Sequence, residues 1–207
     1  MTHPAAKRIV GLYQDKADDW IKDRGVVLHH GEGGLGEAAW LDRFVEGLPQ
    51  AASLLDVGCG SGWPIGAALL ERGFEVMGLD ASPALIAHAQ ATLPTGVWAT
   101  ADMREPLPDR RFDGVLAWHS LFHLSHEEQQ RVLPELARCV AHGGRLMFTS
   151  GPAHGETIGA WRGEPLYHAS LDPQAYRALL TGAGLTINGD GAKTGVWLAR
   201  RAFLSAK

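Results

Sequence analysis

The sequence predicts an α/β fold built on a mainly parallel sheet, and three observations carry that expectation. From Ser53 onward short apolar runs alternate with helical stripes, the rhythm of β-α-β units. The first of these runs passes directly into a glycine-rich turn. Over 207 residues, 45% apolar and 20% charged is the mix of a single globular domain.

The N-terminal stretch reads as helix, because Ile9, Val10, Tyr13, Ala17, Trp20 and Ile21 recur at three- and four-residue steps. A second stripe, Trp40, Leu41, Phe44, Val45 and Leu48, follows a glycine-rich joint, Gly31 to Gly36, expected to be mobile. The candidate strands are Ser53 to Val57, Glu75 to Leu79, Gly96 to Ala101, Phe112 to Trp118 and Arg145 to Ser150. Between them Pro64 suits a first helical position, Ser82-Pro83 an N-cap with its proline, and Ser125-x-x-Glu128 a capping box. Gly73 and Gly143 supply stops, and Pro134 inside the stripe Val132, Leu133, Leu136, Val140 predicts a kink or a later helix start. Beyond Ser150 comes a polar stretch to His168 without periodicity. A helix opened by Asp172-Pro173 and stopped at Gly184 follows, then two strands near Leu185 to Ile187 and Val196 to Arg200.

Nineteen Lys and Arg against 23 Asp and Glu give a net charge of -4, too little positive charge to hold a phosphate backbone, so nucleic acid is not an expected partner. No window is apolar for long enough to cross a bilayer, so no membrane partner is expected and a cytoplasmic location is. Cys59 and Cys139 are too few for a disulfide framework or a thiolate cage, and the histidines are not spaced as a metal triad, so no metal is expected.

The chemistry concentrates in Leu54-Leu55-Asp56-Val57-Gly58-Cys59-Gly60-Ser61-Gly62-Trp63-Pro64, a strand, a glycine turn and a helix start. Such a turn lets a nucleotide-like ligand lie on backbone, since side chains would block its approach and the helix beyond presents free N–H groups. The strand ending Asp80-Ala81 places a carboxylate where it can accept both hydroxyls of a ribose. Asp102-Met103, at the next strand end, suits an adenine amino group and ring face.

These motifs resemble those of class I S-adenosylmethionine-dependent methyltransferases of the small-molecule-modifying kind. Asp56, Gly58, Gly60 and Gly62 match the acidic G-x-G-x-G pattern; Asp80, Asp102, Leu107-Pro108, Phe112-Asp113 and Gly143-Gly144-Arg145-Leu146 follow in the family's order. The resemblance is specific from about Ser53 to Ser150. It implies a Rossmann-like three-layer sandwich, a mostly parallel sheet with an antiparallel C-terminal hairpin, S-adenosyl-L-methionine as methyl donor, and a small-molecule acceptor methylated on oxygen or nitrogen. It divides the chain into an N-terminal helical lid (1–49), a donor-binding core (50–150), and an acceptor-site segment with the final hairpin (151–207). In relatives a segment comparable to Tyr13 through Trp20 folds over the donor's methionine end, where electron-rich rings suit a sulfonium; filling the helix's own apolar stripe is the alternative. Arg24 would belong to the same lid.

Trp118 is expected near the adenosine, and His119 and His123 beside the methyl group, where a neutral imidazole could take a proton. The alternative for each histidine is a hydrogen bond within its loop. The segment Gly151 to Ser170 is expected to cover the acceptor, with His154, Trp161, Tyr167 and His168 as its readers; a surface loop pinned by Trp161 is the alternative. His88, His126 and His142 read as plain surface residues. Two other functions fit the architecture: an NAD(P)-dependent oxidoreductase, disfavoured because Gly62 falls one residue early for dinucleotide spacing, and a non-catalytic S-adenosylmethionine-binding protein.

Overall fold

A computed structural model of the chain describes residues 3–29 and 36–203. The main sheet contains β1 (Ser53–Val57), β2 (Glu75–Asp80), β3 (Val97–Thr100), β4 (Phe112–Ala117), β5 (Val140–Thr149), β8 (Leu185–Gly189) and β9 (Val196–Arg201). Its spatial order is β3-β2-β1-β4-β5-β9-β8. The first five strands pair in parallel, and β9 runs antiparallel between β5 and β8. This is the mostly parallel sheet with an antiparallel end that the sequence predicts. The chain turns from β1 outward on one side to β2 and on the other to β4, which opens a crevice at the strands' carboxyl ends, where ligands of such sheets bind.

Both faces of the sheet are covered, which is why its strands read as continuous apolar runs rather than alternating ones. Leu55 and Val57 of β1 pack into one core with α6 (His126–Arg138) and α7 (Pro173–Gly182). Leu54 points the other way, into a core with α3 (Glu37–Val45), α4 (Ile65–Glu71) and α5 (Pro83–Thr92). Asp113 ties β4 to the start of β1, its Oδ2 accepting from the Ser53 N–H at 2.8 Å and the Ser53 hydroxyl at 3.0 Å.

Trp98 is the joint between the glycine turn after β1 and this second core. Beta carbons added at Gly62, Gly66, Gly78 and Gly96 would each meet its ring at 3.0 Å or less. The indole occupies the space those four residues leave, and its Nε1–H donates to the Leu93 carbonyl at 2.8 Å. Gly78→Ala would bring a methyl within 2.3 Å of the Trp98 ring and 2.8 Å of Cys59 Sγ. It is expected to cost about 1–3 kcal/mol by overpacking, read as a lower urea midpoint at unchanged slope.

Several expectations change. The N-terminal stripe is two helices, α1 (Pro4–Asp15) and α2 (Ala17–Arg24), because Lys16 leaves helical geometry at φ -115° and ψ 30°. Apart from Gly36, the glycine joint expected to be mobile lies outside the described residues. Pro64 caps α4 from just before its first residue. The helix α6 starts at the capping box, with both of its hydrogen bonds formed, and runs through Pro134 to Arg138. Pro134 removes a bond only from the carbonyl of Gln130, an exposed residue. Gly143 stops no helix: α6 has already ended, and Gly143 sits inside β5 at φ +80°, where the pairing with β4 shifts register. The aperiodic segment after Ser150 is a hairpin, β6 (Gly155–Trp161) and β7 (Glu164–Ser170), paired only with itself. β6 is exposed along nearly its whole length, so no apolar alternation marked it as strand. The remaining helix, α8 (Gly191–Thr194), joins β8 to β9. Among the described residues no helix is long and apolar enough to cross a membrane.

Candidate active site

A cavity of about 400 Å³ opens over the carboxyl ends of β1, β2 and β4. Its floor is the turn after β1, where Gly58, Gly60 and Gly62 all have positive φ, at 77°, 57° and 75°. The Gly58 and Cys59 N–H groups donate to the Leu79 carbonyl, which folds the turn across the end of β2. A beta carbon at Gly58 would strike Ser120 at 2.3 Å, and one at Gly60 would strike the Trp20 ring at 2.5 Å. Glycine is therefore demanded here by dihedral angle and by space together.

Asp80 closes the end of β2. Its Oδ2 accepts from the Gly60 N–H and its Oδ1 from the Ser82 N–H, both at 2.8 Å, so the carboxylate also braces the turn. Burial pushes its pKa up, against the pull of those two bonds. Asp56, enclosed beneath the turn, is raised to about 7 by burial and by Asp80, with Arg24 opposing. Asp102 is held bidentately by Arg104; the guanidinium and the Arg104 N–H outweigh burial and lower its pKa.

The residues named from sequence divide into two groups. Tyr13, Trp20, Gly58, Gly60, Asp80, Ala81, Asp102, Met103, Trp118, His119, His123 and His168 all line the cavity. His154, Trp161 and Tyr167 do not. His154 is exposed and stacks on His126, with ring centroids 4.4 Å apart. Trp161 lies on Tyr13 and donates from Nε1 to Asp23 Oδ2 at 3.0 Å. The Tyr167 side chain is fully buried against Ala5, Ala6 and Ile9 of α1, and only its carbonyl reaches toward the site. Nor is His126 a plain surface residue, since its Nε2 pairs with the Gly155 carbonyl at 3.1 Å where the hairpin begins.

His119 and His123 differ. The His119 backbone has φ +52°, and its N–H donates to Thr149 Oγ1 at 2.8 Å. Its side chain is exposed toward the cavity, and the protein packed around the ring lowers the imidazole pKa to about 4, with the Glu37 charge opposing. His123 is buried and bonded at both ring nitrogens, to the Tyr167 carbonyl at 2.9 Å and the Tyr13 hydroxyl at 3.0 Å. Burial lowers its pKa to about 4 as well, and burial with the Asp80 charge raises that of Tyr13 to about 12.

Two contributors escaped the sequence reading, and a third, Arg24, does more than it was assigned. Gln14 Oε1 accepts from the Ser82 hydroxyl and the Ala84 N–H, seating α1 on the start of α5. Glu37 accepts from Arg24 at 2.6 Å, Trp118 Nε1 at 2.9 Å and the His29 N–H at 2.7 Å. Arg24, expected only as part of a lid, lines the cavity and keeps a buried Nη1 with no partner among the described residues. An acidic first residue of a helix is commonplace, so only the fold reveals what Glu37 meets.

The comparisons agree with this geometry. The family model described as "Methyltransferase domain" matches residues 55–148. An uncharacterized methyltransferase of Mycobacterium bovis is 38% identical over 104 residues, covering 48% of this chain and 40% of its own length. A trans-aconitate 2-methyltransferase of Methylobacterium nodulans is 34% identical over 164 residues, covering 68% of this chain and 60% of its own. The chain thus spans between two-fifths and three-fifths of the length of these relatives. A solved sugar N-methyltransferase from Streptoalloteichus superposes with a TM-score of 0.70 at 22% identity, covering 89% of this chain and 92% of that one, a likeness of fold. The chain carries a methyltransferase domain of the class I, S-adenosylmethionine-dependent type.

Proposed function

We propose that the protein transfers a methyl group from S-adenosylmethionine to an oxygen or nitrogen of a small molecule. One observation carries the donor assignment: Asp56 and Arg24 line the same cavity, close enough for the Arg24 charge to act on Asp56. A carboxyl group beside a cation with a free Nη1 suits the amino and carboxylate ends of an amino acid, which the methyl donor has and a nicotinamide dinucleotide lacks. Asp80 would hold the ribose, Asp102 and Met103 the adenine, and the glycine turn would lie beneath. The donor supplies an electrophilic methyl group. The protein's part is to hold the acceptor in line with it and to exclude water, an effect worth up to about 7–11 kcal/mol.

The lid would be α1 and α2 together with the β6–β7 hairpin. Trp161 stacks on Tyr13, and Arg162 bridges Asp19 and Asp23 of α2. Net charge and the enclosed cavity favour a small-molecule acceptor over nucleic acid. Two buried, unpaired cysteines fit a reducing cytoplasm.

Parallel calorimetric titration with S-adenosylmethionine, S-adenosylhomocysteine and NADH tests this reading. Binding of the first two alone is expected; binding of NADH alone overturns it. The titration also has a pH signature. A carboxyl raised to about 7 is largely protonated at pH 6, whereas a cationic ligand favours its ionised form, so binding must expel a proton. Donor affinity is expected to rise by up to about tenfold per pH unit below 7 and to level above it. Asp56→Asn is expected to abolish that slope.

A further inference from the structure

The hydrogen-bond directions at His123 are fixed by chemistry. Its Nδ1 lies 2.9 Å from the Tyr167 carbonyl, which only accepts, so Nδ1 carries the hydrogen. In the neutral ring Nε2 is then bare, and the Tyr13 hydroxyl, 3.0 Å away, donates to it. The phenolic proton is therefore committed to His123, and the lone pairs of the Tyr13 oxygen remain for whatever binds beside it. A bound group meeting that oxygen must be a donor: a hydroxyl or an amine fits, a carboxylate does not. Around it the wall is apolar, with Ile9, Val10, Phe122 and Leu166 beside a neutral His168. Of the two arginines lining the cavity, Arg104 is engaged with Asp102 and Glu128, and Arg24 with Glu37 and, on the reading above, with the donor's own carboxylate.

We propose that Tyr13 and His123 form a proton relay serving an uncharged acceptor with an apolar body and a reacting hydroxyl. Tyr13 is the catalytic group that touches the acceptor, and His123 acts through it. The proposal rests on the methyl-transfer reading above. The acceptor oxygen bonds the methyl carbon as that carbon's bond to sulfur breaks, with the bonding pair left on sulfur. The acceptor's proton passes to the Tyr13 oxygen, the phenolic proton passes to His123 Nε2, and the imidazolium stays anchored through Nδ1 to the Tyr167 carbonyl. One positive charge occupies the cavity throughout, on sulfur before transfer and on the imidazole after it. Burial keeps the His123 ring neutral, so that Nε2 holds a lone pair for the phenolic proton. The titratable groups facing it are Tyr13 from α1, His168 from β7 and His119 from its own loop. A neutral amine attacks with its own lone pair and needs no such relay; a hydroxyl does.

The probes are 2-naphthol, 2-naphthylamine and 2-naphthoate, titrated calorimetrically into protein saturated with S-adenosylhomocysteine. Binding of 2-naphthol at least tenfold tighter than 2-naphthoate is expected, as is a roughly tenfold weakening in Tyr13→Phe. His123→Asn keeps a donor for the Tyr167 carbonyl but cannot take the proton. It is expected to methylate 2-naphthol about 10²-fold more slowly, with a clearly smaller loss on 2-naphthylamine. Nitrogen-15 spectra are expected to show the Nδ1–H tautomer of His123. Failure of 2-naphthol to bind, unchanged affinity in Tyr13→Phe, equal slowing on both acceptors, or an Nε2–H tautomer overturns the relay. Failure to bind S-adenosylhomocysteine overturns instead the methyl-transfer reading beneath it.

Discussion

Glu37→Ala is expected to lower folding stability by about 3–5 kcal/mol, because it strands the Arg24 charge in a poorly solvated site. The side chains of Arg24 and Glu37 are only 15% and 6% exposed. The same carboxylate satisfies Trp118 Nε1–H and the His29 N–H. One substitution therefore removes the partner of Arg24 on α2, of Trp118 at the end of β4 and of the His29 N–H together. Urea unfolding measures the loss. Glu37→Gln, which keeps an acceptor oxygen, is expected to fall between. The double variant Arg24→Met, Glu37→Leu is expected to regain most of the stability, because an apolar pair carries no desolvation cost. It should nevertheless lose donor affinity, which separates the two duties of Arg24. A Glu37→Ala protein within 1 kcal/mol of wild type would mean that the pair stays solvated.

The second large effect is on binding. Asp80→Asn is expected to weaken S-adenosylhomocysteine by about 10- to 100-fold, the loss of roughly 1.5–3 kcal/mol of charge-assisted hydrogen bonding to two hydroxyls. Asparagine is preferable to alanine, because it keeps one oxygen to accept from the Gly60 or the Ser82 N–H, whereas alanine would leave both without a partner. Calorimetry measures the affinity, and thermal unfolding without ligand checks the turn. Unchanged affinity would remove Asp80 from the ribose site.

The core of the fold was legible because its signals are local. The glycine turn needs residues without a side chain at three alternate positions, and β1 and β4 are short runs whose burial on both faces leaves them mostly apolar. The capping boundary of α5 lies in a few contiguous residues and appears where it was expected, and α6 begins at its capping box despite the later start that Pro134 suggested. What escaped is held together across the chain. Lys16 breaks a helical stripe without glycine or proline, so no punctuation announces it. In the β6–β7 hairpin, β6 is exposed along nearly its whole length, and its sequence alternates too little to be distinguished from loop. Tyr167 illustrates the harder case: an aromatic residue in the right segment whose side chain packs under α1 while its carbonyl orients His123. Only register decides which of the two faces the site, and register follows from pairing with β6.

The clasp across the cavity is built from exposed parts. Arg162 reaches Asp19 at 3.0 Å and Asp23 at 2.8 Å with side chains 37–43% exposed, and Arg8 reaches Glu164 at 3.5 Å. Such contacts are individually weak and are screened over about 8 Å at physiological ionic strength. Sodium chloride thus becomes a control on traffic: dissociation of even an uncharged acceptor is expected to quicken between low and high salt in stopped-flow measurements, while the sheet beneath, held by apolar burial, stays as it was. The enclosure has an electrostatic hinge fastened to a hydrophobic frame, and the two answer to different solvents.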